Sequence, residues 1–424
     1  MSMRGFSPAS LYDTMKGMIE ELEERIRERW GLICRWFEER TAGLPIPVYT
    51  SVDIRNSGFK VAVVDTNLFP CGFNNLCQFC YKRGPDLFRR YFENNVGPIK
   101  RLLIIPESHT RNLPYLANLA RIRSLLEKGG YEVRIGFLPD KLRDDFQQVV
   151  LTSGETVELH RIRRGGDKIF VSGFEPDLLL INNDFSTGLP EVMEGLSQPA
   201  LPPPALGWHR REKSGHFHIH HRLIEDFCRL IDWDPWFLMP LTEWEKGIDF
   251  LTKDGLDRVA VKVEGIIGGI RRKYQEHGID EEPYVFIKNN AGTYGMAIIT
   301  ASSGDEILRL NRKDRVKMAR AKGGAKVTGV LIQEGIPTRD RFGNCWVEPV
   351  IYLVGGEVLG GFLRENCRVS PRDNFNTTGM TFTRPCLHGV EGGPPSGADY
   401  FPMTYEIISK IAAVAAGYEV KGSL

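Results

Sequence analysis

The segment YVFIKNNAGTYGMA, from Tyr284 to Ala297, places Lys288 at the end of a β-rich run. A loop with Gly292, Thr293 and Gly295 follows, and then a second β-rich run from Met296 to Thr300. Glycines without Cβ atoms let backbone N–H groups approach anionic oxygens, and a lysine adds a point charge. The segment therefore reads as a candidate phosphate clamp. It is not a Walker A loop, in which the lysine follows the glycines and opens a helix. A glycine-containing hairpin loop beside a solvated lysine is the plainer alternative.

Downstream residues add to the clamp. VLIQEGI runs from a strand into Gln333, Glu334, Gly335 and Ile336. Glu348 begins the next strand, Arg364 ends a hairpin, and RDNFNTTGM supplies Asp373, Asn374 and Asn376. Mg²⁺ takes oxygen ligands and shares them with phosphate and water. Glu348, Asn374 and Asn376 can supply the protein's share, with Mn²⁺ as the alternative ion. Arg364 can neutralise charge on a transferring phosphoryl group, together with Lys288.

A second constellation is VDIRNSGFKVAVVDTNLFPCGFNNL, residues 52–76. It packs Asp53, Arg55, Lys60, Asp65, Asn67, Asn74 and Asn75 into one short stretch. Such a density suits a small zwitterion, with Arg or Lys on its α-carboxylate and Asp on its ammonium. A turn-rich loop using Asn and Asp for local backbone bonds is the alternative. Five histidines, His209, His216, His218, His220 and His221, lie close together. Spacing by two does not put His216, His218 and His220 on one helix face, although a strand would, so zinc is a minor reading. Cys77 and Cys80 form a CxxC with no second CxxC to complete a four-cysteine site.

The elements that must position these residues are those of an α/β chain. At 424 residues, two or three domains are expected. Ser7-Pro8 opens one long amphipathic helix through Leu11, Met15, Ile19, Leu22, Ile26, Ile33 and Phe37. From Arg101 the pattern is β-α-β: RLLIIP, a helix from Leu113 to Lys128, YEVRIGF, and PDLLLINND. Helices are expected around His218–Ile231, from Leu256 to Tyr274, around 304–320 and from Thr404 to Ala416. Val327 to Gln333 reads as a strand, 388–402 as a loop, and Gly355-Gly356 as a two-residue hairpin turn. A net charge of +1 gives no reason to expect a nucleic-acid or membrane partner. The N-terminus has no signal-peptide pattern, so a cytoplasmic protein with reduced thiols is expected.

A lysine on a strand followed by a Gly-rich hairpin loop is similar to the clamp of ATP-grasp ligases. That resemblance implies that the 333–336 linker supplies backbone hydrogen bonds to adenine, and that Lys213 enters the ATP site. VDTNLFPCGFNNL, ALGWHRREKSGHF, DPWF and IKNNAGTYGM together resemble the glutamate–cysteine ligases of the acidophile and proteobacterial type. Cys71 and Val63 are departures, where a small residue and a proline are expected. The resemblance implies a helical segment (1–50), a substrate-binding, Rossmann-like pre-ATP-grasp domain (51–238) and an ATP-grasp module (239–424). It implies ligation of the γ-carboxylate of glutamate to cysteine, giving γ-glutamylcysteine, ADP and phosphate. Another ATP-grasp carboxylate–amine ligase, such as a glutathione-synthetase-like enzyme, is the alternative.

Overall fold

The computed structural model describes residues 17–108, 112–138, 144–292, 297–320, 324, 326–384 and 401–423. Ser7, Pro8, Leu11, Met15, Thr293, Gly295, Met296 and most of the 388–402 loop lie outside the described residues.

Two helices, Met18–Glu28 and Trp30–Thr41, stand where one was expected, with Arg29 between them outside helical geometry. Ile19, Leu22, Ile26 and Ile33 are fully buried against the C-terminal helix Met403–Ser423 and its neighbours. The sequence around 52–76 is not a turn-rich loop. It forms the antiparallel strands Tyr49–Asn56 and Val61–Asn67, followed by the helix Gln78–Asn95. The helix expected over 304–320 is two short ones, Gly304–Leu308 and Arg312–Met318.

Three main sheets carry the molecule. The first is six-stranded and largely parallel, and includes Arg101–Pro106, Glu132–Phe137 and Leu178–Asn182. Its helix Leu113–Lys128 has the expected boundaries. The second is antiparallel and four-stranded. It contains Val285–Asn289, Ile298–Ala301 and Gly329–Glu334, backed by the helix Lys253–Glu276. The third is six-stranded and antiparallel. It pairs Cys345–Val354 and Glu357–Asn366 with the Tyr49–Asn56 hairpin, so it joins segments from either side of residue 239. Gly355 and Gly356, at φ 58° and 83°, close its hairpin as a turn that needs positive φ twice.

Alternation explains which face carries chemistry. Val52, Ile54, Val347, Ile351 and Leu363 enter the core shared with the C-terminal helix. Ser51, Asp53, Arg55, Glu348, Val350 and Arg364 face a cavity on the other side. Asp53 pairs with Asp65 but Ile54 pairs with Val63, which leaves Val64 as the extra residue of a β-bulge.

The thiol expectation fails for Cys77, Cys345 and Cys367, all of which are disulfide-bonded. Cys345 and Cys367 bond to each other between two neighbouring strands of the third sheet, one step beyond the Trp346–Asn366 pair, with Cα atoms 4.4 Å apart. His209 lies in the turn before the helix Lys213–Ile231, and His216, His218, His220 and His221 lie on that helix, not on a strand. His216 and His220 stack there at 6.0 Å, and His218 points to solvent. They form no metal-binding group among the described residues.

Candidate active site

A cleft of about 250 Å³ lies where the three sheets converge. Of the residues singled out in the sequence, Asp53, Arg55, Asp65, Asn67, Lys213 and Lys288 line it. So do Gly292, Glu334, Ile336, Glu348, Arg364, Asn374 and Asn376.

The clamp lysine is held by two acceptors. Lys288 Nζ donates to Gln333 Oε1 at 2.7 Å and to the Val64 carbonyl at 3.1 Å. The bulge at Val64 provides that carbonyl, so an irregularity in one sheet fixes a lysine of another. Phe286 and Lys288 share the cavity face of their strand, and Val285 and Ile287 share the core face. Burial lowers the Lys288 ammonium to about 8, with Asp65 opposing and Lys213 and Arg55 adding to the shift.

Lys213 opens its helix beside the clamp. Its backbone N–H donates to the Asn290 carbonyl at 2.7 Å, and the Ser214 N–H donates to Asn290 Oδ1 at 2.9 Å. These bonds satisfy helix N-terminal donors that have no partner within the helix. Lys213 Nζ lies 2.5 Å from Asp65 Oδ1 and 4.6 Å from the centre of the Trp208 ring. Burial pushes the Asp65 carboxyl up, but Lys213, Lys288 and Arg211 outweigh it and hold it at about 2. Arg211 is itself fixed by Glu419 of the C-terminal helix at 2.8 Å and by the Thr66 carbonyl. Nothing in the sequence pattern pointed to Glu419.

Arg364 stands opposite Glu348 in the sheet register. It reaches Asp53 at 2.7 Å and Glu348 at 3.5 Å. Burial raises the Asp53 carboxyl, with Arg364 pulling against the shift and Glu348 adding to it. Burial would lower the Arg364 guanidinium, but Asp53 and Glu348 hold it above its ordinary value.

Several expected roles need correction in their detail. Arg55 is buried and donates to the carbonyls of Ile336, Pro371 and Asp373, the last at 2.6 Å. Phe286 and Phe375 flank it, and Glu348 lies 3.5 Å away. This guanidinium ties the linker to the loop carrying Asn374 and Asn376; four protein acceptors occupy it. Lys60 does not line the cleft. It pairs with Glu334 at 2.7 Å, with both side chains 1% exposed, and stands over Trp236. Asn74 and Asn75 are also outside the cleft, in a short 3-10 turn whose carbonyls accept from Arg384. Gln333 lies behind Lys288, and Gly335 packs against the Tyr284 ring, where a Cβ would come within 2.4 Å.

The cleft also contains residues that sequence reasoning missed, among them Glu107, Asp184, Trp208 and Tyr352. Glu107 and Asp184 follow adjacent parallel strands, Arg101–Pro106 and Leu178–Asn182. The signal was present: an acidic residue just past a buried hydrophobic strand sits at the carboxyl edge of a parallel sheet, where ligands bind.

Glu348, Asn374 and Asn376 are an all-oxygen donor set, and Glu348 has cations on two sides. That chemistry fits a hard divalent cation accompanying phosphate. The cysteine and histidine groups contribute nothing to the cleft's oxygen set.

Similarity to known proteins agrees with this geometry. The family model described as GshA, glutamate-cysteine ligase, matches residues 23–420. A crystal structure from Methylobacillus flagellatus KT, provisionally described as a gamma-glutamylcysteine synthetase, is 36% identical, with a TM-score of 0.88. The match covers 97% of this chain and 98% of that one. D-alanyl-alanine synthetase A from Vibrio cholerae O1 biovar eltor is 10% identical, with a TM-score of 0.30, over 63% of this chain and 66% of that one. A score that low carries no argument. No curated protein matches the chain. With a family model matching residues 23–420 and a 36% identical structure covered over nearly its full length, the chain belongs to the glutamate–cysteine ligase family.

Proposed function

We propose that the protein joins the γ-carboxylate of glutamate to the amine of cysteine, using ATP, in an ATP-grasp arrangement. The observation that carries this reading is the convergence of Lys213, Lys288 and Arg364 with Glu348 on one cleft. The four-stranded sheet and its clamp are one jaw of the nucleotide site. The Cys345–Asn366 hairpin is the other. The 333–336 linker presents backbone groups to adenine. Glu334 faces away from the cleft toward Lys60, so its main chain is the part available there.

Chemistry then follows from charge. The γ-carboxylate attacks the γ-phosphate of ATP, giving an acylphosphate and ADP. The cysteine amine displaces phosphate from that acyl group and loses a proton. Lys288 and Arg364 hold phosphoryl oxygens as charge shifts onto them. Lys213 orients the phosphate chain, and the carboxylates on the amino-acid side of the cleft, Asp53, Asp65, Glu107 and Asp184, receive ammonium groups. Glu348, Asn374 and Asn376 would hold Mg²⁺, which when bound neutralises phosphate charge.

The test is isotope transfer. With ¹⁸O in the γ-carboxylate of glutamate, the phosphate released should carry one ¹⁸O, and the nucleotide product should be ADP. Production of AMP and pyrophosphate would mean adenylation and would end this reading.

A further inference from the structure

Asp53 and Asp65 stand opposite each other in the strand register. Each carboxylate is paired with a cation assigned above to phosphate. Arg364 holds Asp53 at 2.7 Å, and Lys213 holds Asp65 at 2.5 Å. The second pair is asymmetric. The Lys213 side chain is 7% exposed, whereas that of Asp65 is 37% exposed and faces the cleft. Lys213 is also restrained by Trp208 and by the tie of its helix to Asn290, whereas Asp65 has, besides Lys213, the Thr66 N–H on its Oδ1 at 3.0 Å, so its carboxylate is the partner with more room to turn.

A phosphate chain drawn to Lys213 and Lys288 meets a carboxylate already in place. Like charges at that separation repel by an amount that rises steeply as water is excluded. The carboxylate keeps its charge at neutral pH, and once Lys213 and Lys288 turn to phosphate, Arg211 is the one left of the three cations that held it, itself tied to Glu419 and the Thr66 carbonyl. Glu348 and Asp53 across the sheet offer none, and Arg364 is already shared between them. An α-ammonium group, arriving with the amino-acid substrate in the same cleft, is a cation of the right size.

We propose that Asp65 couples the two substrates: its carboxylate holds Lys213 until nucleotide arrives, then turns to the α-ammonium of glutamate. The inference rests on the ligase reading above. Nucleotide and glutamate then tighten each other by the same factor, as linkage requires. The device favours nucleotide-first binding, which keeps the glutamate carboxylate from occupying the phosphate cations.

Calorimetry of the intact chain tests this with L-glutamate, magnesium and a non-hydrolysable ATP analogue with a β,γ-imido bridge. In the wild type, the analogue should tighten glutamate by about tenfold or more. Asp65→Asn should reduce that factor below about twofold while the analogue alone binds as well or better, because a repelling charge is gone. Lys213→Met should let glutamate bind without nucleotide at close to the nucleotide-bound affinity. Thermal melts check that both variants fold. Full coupling in Asp65→Asn, or no coupling in the wild type, would overturn the proposal. So would a variant that loses the magnesium dependence of nucleotide binding but keeps the coupling, since Asp65 would then serve the metal. A wild type that binds no analogue at all would instead remove the ligase reading, and this proposal with it.

Discussion

Replacing Lys60 by methionine separates a structural role from substrate contact. The sequence places Lys60 among the groups for the glutamate carboxylate; the structure places it in the core beneath the linker. Its Nζ lies 2.7 Å from Glu334 Oε2 and 4.1 Å from the centre of the Trp236 ring. Glu334 Oε2 also accepts from the Leu241 N–H at 2.8 Å. Methionine keeps most of the volume and removes the charge, leaving the buried Glu334 carboxylate without its cation. Breaking a buried pair from one side costs about 3–5 kcal/mol. Unfolding entropy is about 2.1 cal/mol/K per residue, so about 0.9 kcal/mol/K for 424 residues. Tm should therefore fall by roughly 3–6 °C in a scanning melt. The KM for ATP should rise several-fold because Glu334 anchors the linker, whereas the KM for glutamate should change by less than about twofold. Adding Glu334→Gln should recover part of the lost Tm. A Lys60→Met enzyme with wild-type Tm and a glutamate KM raised about tenfold or more would return Lys60 to the substrate and refute this reasoning.

Other expectations follow from the same contacts. Protonated Lys288 holds phosphate, so kcat/KM for ATP should fall as pH rises through about 8; Lys288→Arg should move that limb upward, and an unmoved limb would clear Lys288 of the effect. Lys288→Met should cost about 30- to 1000-fold in turnover, the range for losing a phosphoryl-oxygen donor. Asp340 is buried between Asn56 and Tyr405, and burial raises its carboxyl to about 7 against those hydrogen bonds. The folded state therefore keeps a proton that the unfolded state has lost, and stability should fall as pH rises from about 4 to about 7, by at most about 4 kcal/mol. Urea midpoints across that range should flatten in Asp340→Asn; an unchanged slope would assign it to other groups. Chelation should abolish turnover and Mg²⁺ restore it, with no stoichiometric zinc on the purified protein. One tightly held zinc per chain would point instead to Asp234, Glu276 and His277, whose ligand atoms lie within 4.8 Å of one another.

Periodicity made the local parts of the fold legible. The helix Leu113–Lys128 and the strands around Arg101 and Leu178 stand where apolar spacing put them. Hairpin chemistry did the same for Gly355-Gly356. The strands of the 52–76 stretch were not legible, and a turn-rich loop stood as its alternative, because its polar residues alternate with Val52, Ile54, Val61 and Val63. One face of a half-buried hairpin that lines a cleft looks like loop composition when the faces are not separated. Bulges are invisible to a period of two, so the Val64 carbonyl under Lys288 had no signal. Lys60 was misplaced for a related reason. A buried lysine needs a distant carboxylate, and Glu334 lies 274 residues away. The division near 239 is a reading of the linear sequence, whereas the third sheet pairs Asp53 with Val350 across it. Glu107 and Asp184 were legible by the strand-end rule and were passed over. Glu419 was not, because its role depends on a helix returning from the end of the chain to Arg211 and His216.

Product identification tests the central claim most directly. The purified chain with Mg²⁺, ATP, L-glutamate and L-cysteine should form γ-glutamylcysteine, with ADP and phosphate in equal amounts. It should not join glycine to γ-glutamylcysteine. Glutathione formation from γ-glutamylcysteine and glycine, with no dipeptide made from glutamate and cysteine, would contradict the account.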